Sequence, residues 1–309
     1  MNTLITSLVQ ADFAPERIIP RASMARYTTF RVGGEADVLV NIVDAREVSI
    51  ALRAAKNAGV PATIIGNGSN LLVRDGGIRG LVIRIGSDCS ALRREGDLIF
   101  AKAGALMSSI AQFALSEGLD GFAELAGIPG TIGGGVIMNA GAYGGELSQV
   151  VTCVEGVALS DGKPIIFEGP DCGFSYRHSA MMDAGVIVTD VTLQLTPGEP
   201  KAIRARMDEC SRARRDKQPL SFPSAGSTFK RPTGLFAAKL IDDCGLRGLR
   251  IGDAQVSEKH AGFIINLGKA TASDILNLMD EVKRRVYEKT GVTLEPEVRI
   301  LGEDKARQA

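Results

Sequence analysis

The chain has 309 residues, enough for about two domains at roughly 100–200 residues each, and its 45% apolar and 23% charged content argues against long disorder. Thirty-six Lys and Arg balance 36 Asp and Glu, which excludes a globally basic nucleic-acid binder and any whole-molecule field that steers a partner. Only two histidines are present, His178 and His260, so a His-rich metal site is excluded and no metal is expected. The five cysteines (Cys89, Cys153, Cys172, Cys210, Cys244) form no C-x-x-C pair and read as reduced thiols. The N-terminus lacks a basic segment before an uninterrupted apolar run, so no signal peptide is expected and the protein is placed in the cytoplasm.

In chain order, Asp37–Val43 reads as a strand, and Asp44 caps a helix to about Asn57, ended by Gly59 and Pro61. A strand Ala62–Ile65 runs into a glycine turn. Strands Leu81–Ile85 and Leu98–Ala103 and a helix Met107–Ser116 follow. Leu125–Gly145 is 21 residues without a charge, about the length of a membrane span. It holds eight glycines and Pro129, and at roughly 1 kcal/mol per Gly and 3 for Pro it reads as loop-rich, not as a span. From Val150 the pattern changes to strands, Val150–Leu159, Lys163–Glu168 and Val186–Leu195.

Pro197-Gly198-Glu199-Pro200 is the clearest boundary, because neither neighbour can continue through it. The helix after it, Lys201–Lys217, carries seven Lys/Arg against three acids. Ile203, Met207 and Cys210 mark its buried stripe, and Arg204, Asp208 and Arg212 a charged ladder on another face. A long amphipathic helix lies on Ile275, Leu278, Met279, Val282 and Val286, opened by a Thr271–Asp274 capping box and stopped by Gly291. A strand, Leu294–Leu301, closes the chain. Two compartments follow, about 1–195 and about 200–309.

Two glycine-rich turns stand out in the first compartment. Gly66-Asn67-Gly68-Ser69-Asn70-Leu71 lacks the third glycine and following helix of a Rossmann unit and the Lys-Ser/Thr of a P-loop. It is either a plain Asn/Gly turn or a nest of backbone N–H groups suited to phosphate oxygens. Gly127–Gly135 with Asn139 and Gly141–Gly144 lets a ligand approach the backbone closely, and its uncharged lining suits a flat ring. A crowded crossing of strands is the alternative. In the second compartment, Pro223–Pro232 joins hydroxyls, glycine and two cations in one loop, where a serine could donate a proton or simply form a surface turn. Glu297 and Arg299 are two apart on the last strand and share a face, as a reacting pair or an edge ion pair.

Taken in order, Tyr27–Gly34, Gly66–Asn70, Gly127–Gly145, Tyr176-Arg177, Pro223–Pro232, Ala254–Val256 with Ile265-Asn266, and Leu294–Gly302 resemble the bacterial UDP-N-acetylenolpyruvoylglucosamine reductase family. The resemblance implies an α+β chain: a PCMH-type (vanillyl-alcohol-oxidase-like) FAD-binding fold of two subdomains, 1–86 and 87–196, plus a substrate domain at 200–309. The last strand, about 294–309, would return to the first subdomain. It implies non-covalent FAD, with NADPH as co-substrate and a UDP-sugar as substrate. Neither nucleic acid nor membrane is implied as a partner, and a monomer or weak oligomer is expected.

By position, Ser227 matches the family's general acid, with Arg177 and Glu297 as the other catalytic residues. The cofactor positions are Gly66, Asn67, Gly68, Ser69, Asn70, Ile128, Pro129, Gly130, Thr131, Gly133, Gly134, Asn139, Gly141, Ala142, Arg177 and Ile187. Tyr143, Tyr176, Lys217, Lys230, Arg231, His260 and Arg299 are the substrate positions. The interval from Tyr176 to Leu195 is too short for the family's extra Tyr-bearing segment, so the chain resembles the shorter second type. Arg231 and His260 stand where the better-known form has Asn and Gln. The implied reaction is hydride transfer from flavin N5 to C3 of the enolpyruvyl ether and protonation of C2 by Ser227. Another FAD oxidoreductase of the same fold, using oxygen, is the alternative, and a flavin- or nucleotide-binding module without turnover is a third reading. Covalent attachment through His is disfavoured because no His precedes residue 178.

Overall fold

Asp44 opens the first long helix as its residue type demands. Its carboxylate accepts from Glu47 N at 2.9 Å, and the helix Ala45–Asn57 buries Val48, Ala51, Ala54 and Ala55. In the computed structural model, which describes residues 2–305, this helix belongs to the first of two compact units. Unit 1 is residues 1–20, 38–67 and 80–214, and unit 2 is 21–37, 68–79 and 215–309. Residues 1 and 306–309, which the expected first and last domains include, lie outside the described residues.

Unit 1 carries a five-stranded antiparallel sheet in the order Pro164–Glu168, Val151–Ala158, Val186–Gln194, Leu98–Lys102, Leu92–Glu95. A four-stranded sheet lies mostly in the same unit, in the order Ile18–Ser23, Glu35–Asn41, Ile78–Arg84, Ala62–Ile65, with the last two parallel. Helix Met107–Ser116 buries Met107, Ile110, Ala111, Ala114 and Leu115 in the same core. The helix after the double proline, Pro200–Lys217, adds Ile203 and Met207 to it. The compact boundary therefore falls at Arg214/Arg215 and not at Pro197–Pro200. A break in secondary structure is not a break in packing when the next helix buries its stripe against the same core.

Unit 2 packs the helices Ala237–Asp243 and Ala272–Thr290 with a three-stranded antiparallel sheet, Arg250–Ile251, Ala254–Val256, Ile264–Asn266. The capping box is formed, with Asp274 N on Thr271 Oγ1 at 3.0 Å and Thr271 N on Asp274 Oδ2 at 2.9 Å, and Gly291 ends the helix at φ 70°. Asp75 reinforces that start by accepting from Ala272 N and from the N and Oγ of Ser273. Phe30, Val32 and Leu72 join this core, so the Tyr27–Gly34 and Leu71–Val73 segments build unit 2 although they lie early in the chain.

The closing strand is shorter than expected. Arg299–Leu301 pairs in parallel with Leu71–Val73, whereas Leu294–Val298 is not strand beyond a single bridge between Pro296 and Phe229. Pro296 has no N–H for a ladder. The uncharged segment also departs from a plain loop, because Ile132–Ile137 forms a short helix capped by Thr131. The ladder expected on Arg204, Asp208 and Arg212 is not among the ion pairs of the described residues. Arg206 pairs instead with Glu124 and Glu209 at 2.7 Å each. All five cysteines are free thiols, and burial pushes Cys172 up to about 11. Among the described residues no helix is long and apolar enough to cross a membrane and no cluster suits a metal ion.

Candidate active site

In unit 1 the two glycine-rich turns meet. Asn67 Nδ2 donates to Pro129 O at 2.7 Å, and a Cβ on Gly66 would stand 2.6 Å from Thr131 Oγ1. Thr131 is buried, and its hydroxyl accepts from Gly134 N at 3.5 Å. The short helix tolerates three glycines because two of them lie against neighbours. A Cβ on Gly133 would come 2.8 Å from Ala103 Cβ, and one on Gly135 2.9 Å from Leu147 Cδ1. Pro129 and Gly134 remain exposed, and Gly130 is half-buried. Main-chain groups, uncovered by side chains, therefore line this face.

The segment continues into a hairpin, Gly141–Ala142 with Gly145–Glu146, whose two-residue tip is Tyr143 at φ 54° and Gly144 at φ 91°. Arg206 Nη2 donates to Tyr143 O at 3.2 Å. Arg214 donates to Gly127 O, and its buried Nε has no partner among the described residues. Burial disfavours the Arg214 charge, and the Tyr143 hydroxyl supports it. Neither arginine stands out in the sequence, where the charges of Lys201–Lys217 read as a ladder on a face away from the buried stripe. Their spacing of eight residues, on one face of a helix, was the available signal.

Arg177 also lies in unit 1. Ser175 N and His178 N each donate to the other's carbonyl at 3.1 and 3.2 Å, which leaves Tyr176 and Arg177 at the tip of a tight turn. Arg177 adopts φ 57°, a left-handed conformation that non-glycine residues hold only when their surroundings enforce it. Its guanidinium carbon lies 5.2 Å from the Tyr176 ring centre. His178 Nε2 meets Asp183 Oδ1 at 2.9 Å, and Asn139 Nδ2 donates to Ser175 O at 3.3 Å. Only the four-residue helix Ala180–Asp183 separates this turn from strand Val186–Gln194.

Ser227 and Glu297 come together in unit 2. The loop before Ser227 is pinned by Asn266 N on Pro223 O at 2.9 Å and by Thr29 Oγ1 on Ser224 O at 2.7 Å. Just after it, buried Thr228 donates its N–H to Gly262 O at 2.8 Å, and its hydroxyl accepts from Ile264 N at 3.1 Å. Glu297 N donates to Thr228 O at 2.8 Å, so one candidate is bonded to the residue that follows the other. Gly226 adopts φ 75° with nothing within 4 Å of a would-be Cβ, and Ser227 after it is half-buried. Asn70 Nδ2 donates to Glu297 O at 3.1 Å, and Asn70 O accepts from Arg299 N at 3.0 Å. Gly68, at φ 64°, lies so close to Tyr27 O that a Cβ would clash.

The other expected substrate residues differ in their situation. Lys217 is exposed at the end of its helix. Lys230 Nζ lies 3.4 Å from Glu295 Oε2. Arg231 stacks over the Phe236 ring at 5.3 Å. His260 Nδ1 accepts from Gly262 N at 3.2 Å, and its ring meets Phe263 edge-on at 4.9 Å. Burial lowers its pKa below the usual value, so it offers a neutral Nε2–H rather than a cation. Ile187 is only 3% exposed, pairs with Val157 inside its sheet and belongs to the core of unit 1.

Residues 218–301 match the C-terminal domain model of UDP-N-acetylenolpyruvoylglucosamine reductase, and residues 36–167 match an FAD binding domain. The UDP-N-acetylenolpyruvoylglucosamine reductase of Clostridium novyi is 47% identical over 300 residues, 97% of either chain. That of Pediococcus pentosaceus is 47% identical over 296 residues, 96% of this chain and 98% of its own. The crystal structure of UDP-N-acetylenolpyruvylglucosamine reductase from Thermus caldophilus superposes with a TM-score of 0.78 at 37% identity, over 92% of this chain and 98% of that one. The fold is accordingly the PCMH-type FAD-binding fold followed by an α+β C-terminal domain. Likeness at this level over nearly the whole length leaves one conclusion: the chain belongs to the UDP-N-acetylenolpyruvoylglucosamine reductase family.

Proposed function

We propose that the chain uses NADPH to reduce the enolpyruvyl ether of UDP-N-acetylglucosamine enolpyruvate, giving UDP-N-acetylmuramate for peptidoglycan precursors, with Ser227, Arg177 and Glu297 as catalytic residues. The observation that carries the residue assignment is the pinned loop around Ser227, bonded directly to the backbone of Glu297. The residues of unit 1 fit FAD: the Gly66–Asn67 and Pro129–Gly134 turns are joined, and side chains there would intrude on one another. Their N–H groups suit a pyrophosphate, and the uncharged lining suits a flat ring. When bound, FAD supplies hydride transfer between NADPH and C3 of the substrate.

Ser227 gives its proton to C2. A serine hydroxyl is a weak acid, so its position must be held while charge develops, and the hydrogen bonds on Pro223, Ser224 and Thr228 provide that hold. Arg177 stabilises the negative charge that builds at C2 and the carboxylate, and Glu297 assists. Lys217, Lys230, Arg231 and Arg299 meet the anionic groups of the substrate, and His260 adds a neutral donor. Without a Tyr-bearing insertion after Arg177, the chain corresponds to the shorter type of the family. The cytoplasmic location and a monomeric or weakly oligomeric state complete the reading. Identity of 47% along nearly the whole chain disfavours the alternative of an oxidase with another substrate.

The test is the visible flavin spectrum under anaerobic addition of NADPH and then of UDP-N-acetylglucosamine enolpyruvate. Bleaching by NADPH, with colour returning only on the second addition, is the expected result. Bleaching without return would give the substrate to the alternative, and absence of a flavin band after incubation with FAD would overturn both.

A further inference from the structure

Both glycine-rich segments carry an asparagine whose side-chain amide donates to a backbone carbonyl of the protein. Asn139 is 3% exposed. Its Oδ1 accepts from Ser148 N at 2.9 Å and its Nδ2 donates to Ser175 O at 3.3 Å, the carbonyl that opens the Tyr176–Arg177 turn. Asn139 also takes φ 41°, an uncommon conformation that asparagine tolerates better than most residues. Asn70, the last residue of the other turn, donates from Nδ2 to Glu297 O, and its main-chain carbonyl accepts from Arg299 N, so side chain and backbone together grip the chain on both sides of Val298. Glu297 N is in turn bonded to Thr228 O, next to Ser227.

The two contacts are independent, one within each unit, and they share a logic. In each, the Nδ2 donor ties the turn to a backbone carbonyl of another segment, and a second acceptor fixes the register, Oδ1 in Asn139 and the main-chain carbonyl in Asn70. Only a donor serves on a carbonyl, which neither aspartate nor an apolar residue supplies. Both carbonyls contacted lie within two residues of, or on, a residue assigned to the chemistry.

We propose that Asn139 and Asn70 are positioning residues for the reduction of the substrate: Asn139 holds the turn that presents Arg177, and Asn70 holds Glu297 and, through Thr228, the loop of Ser227. The inference rests on the function proposed above. It adds to the expected cofactor role of these two turns and leaves their backbone to serve it.

The experiment is stopped-flow measurement of the two half-reactions in the flavin-loaded protein and in Asn70→Asp and Asn139→Asp, each isosteric and lacking the donor. Displacements of an ångström at reacting groups cost up to about 100-fold, so reoxidation by the enolpyruvate at saturation is expected to slow roughly 10- to 100-fold, with bleaching by NADPH within about twofold of the parent. Asn70→Asp should also raise the solvent deuterium isotope effect on reoxidation, since it acts on the proton donor, and Asn139→Asp should not. A purely structural role would not move that ratio. Should either aspartate variant fail to fold, Asn70→Ser and Asn139→Gly are read in the same way, the glycine taking the φ of 41° without strain. Loss of flavin, equal slowing of both half-reactions, or parental rates in both would overturn the inference. A parent protein that NADPH bleaches but the enolpyruvate does not reoxidise would instead overturn the proposed function.

Discussion

Unit 1 and unit 2 build their functional faces from opposite materials. In unit 1 the face is main chain. Glycines 66, 133 and 135 admit close approach, and the polar side chains nearby (Asn67, Thr131, Asn139) bond to backbone. In unit 2 the face is a set of side chains on a loop whose backbone is pinned on both sides of half-buried Ser227, which lies between Gly226 and buried Thr228. A main-chain surface suits a cofactor that must be gripped along its length and held. A pinned loop suits a single atom that must arrive at one place. Mutations in the two units should therefore fail differently, and that difference can be measured.

The largest effect is expected at Ser227. Removing a general acid costs about 10²–10⁴-fold, so Ser227→Ala should slow reoxidation by the enolpyruvate by that order while flavin content and reduction by NADPH stay near the parent. Equal loss in both half-reactions would erase the distinction between the units. Next comes Gly133→Val. Its Cβ would stand 2.8 Å from Ala103 Cβ and 3.1 Å from Ala103 O. Overpacking of this kind costs about 1–3 kcal/mol, and here it should lower flavin occupancy, read as the ratio of visible to ultraviolet absorbance. Full occupancy in that variant would mean that the cradle does not depend on close packing.

Thr131→Val should be milder. Loss of an N-cap costs about 1 kcal/mol, which for a unit of this size lowers Tm by roughly 2–4 °C, read by thermal unfolding. The smallest effect concerns His260. Its folded pKa is lowered by burial, so as pH falls through about 6.5 the unfolded chain takes up the proton before the folded one does. Stability is therefore lost on the acid side and complete above that range. Urea midpoints compared at pH 5.5 and 7.5 should differ less in His260→Gln than in the parent, and an unchanged difference would mean that the imidazole titrates normally in the fold.

Much of the local structure was legible from residue types. Asp44, Thr271 and Gly291 marked their helix ends, and each does in the fold what its chemistry allows. The strands Ala62–Ile65, Val186–Gln194 and Val151–Ala158 follow their apolar patterns closely. The short helix Ile132–Ile137 was not legible, because its glycines carry no helix signal and it forms by packing on Ala103 and Leu147. The roles of Arg206 and Arg214 were hidden for a related reason: charge on a helix reads as solvated unless the loop it braces is known.

Composition and motif order determined the glycine-rich turns and, with only two histidines, the exclusion of a His-rich metal site, and the resemblance of those motifs to the reductase family made Ser227, Arg177 and Glu297 candidates. These depend on residue types and on spacing along the chain, which the sequence states directly. Tertiary structure alone decided that Tyr27–Gly34 and Leu71–Val73 belong with the C-terminal core, that Pro200–Lys217 packs its stripe on unit 1, and that Asn70 reaches the Glu297 carbonyl. Those pairings join residues as much as 236 positions apart, as Asn266 with Phe30, and 227 for Asn70 with Glu297. Their partners are chosen by which apolar surfaces bury each other and which backbone groups then need satisfying, and no local pattern records that choice.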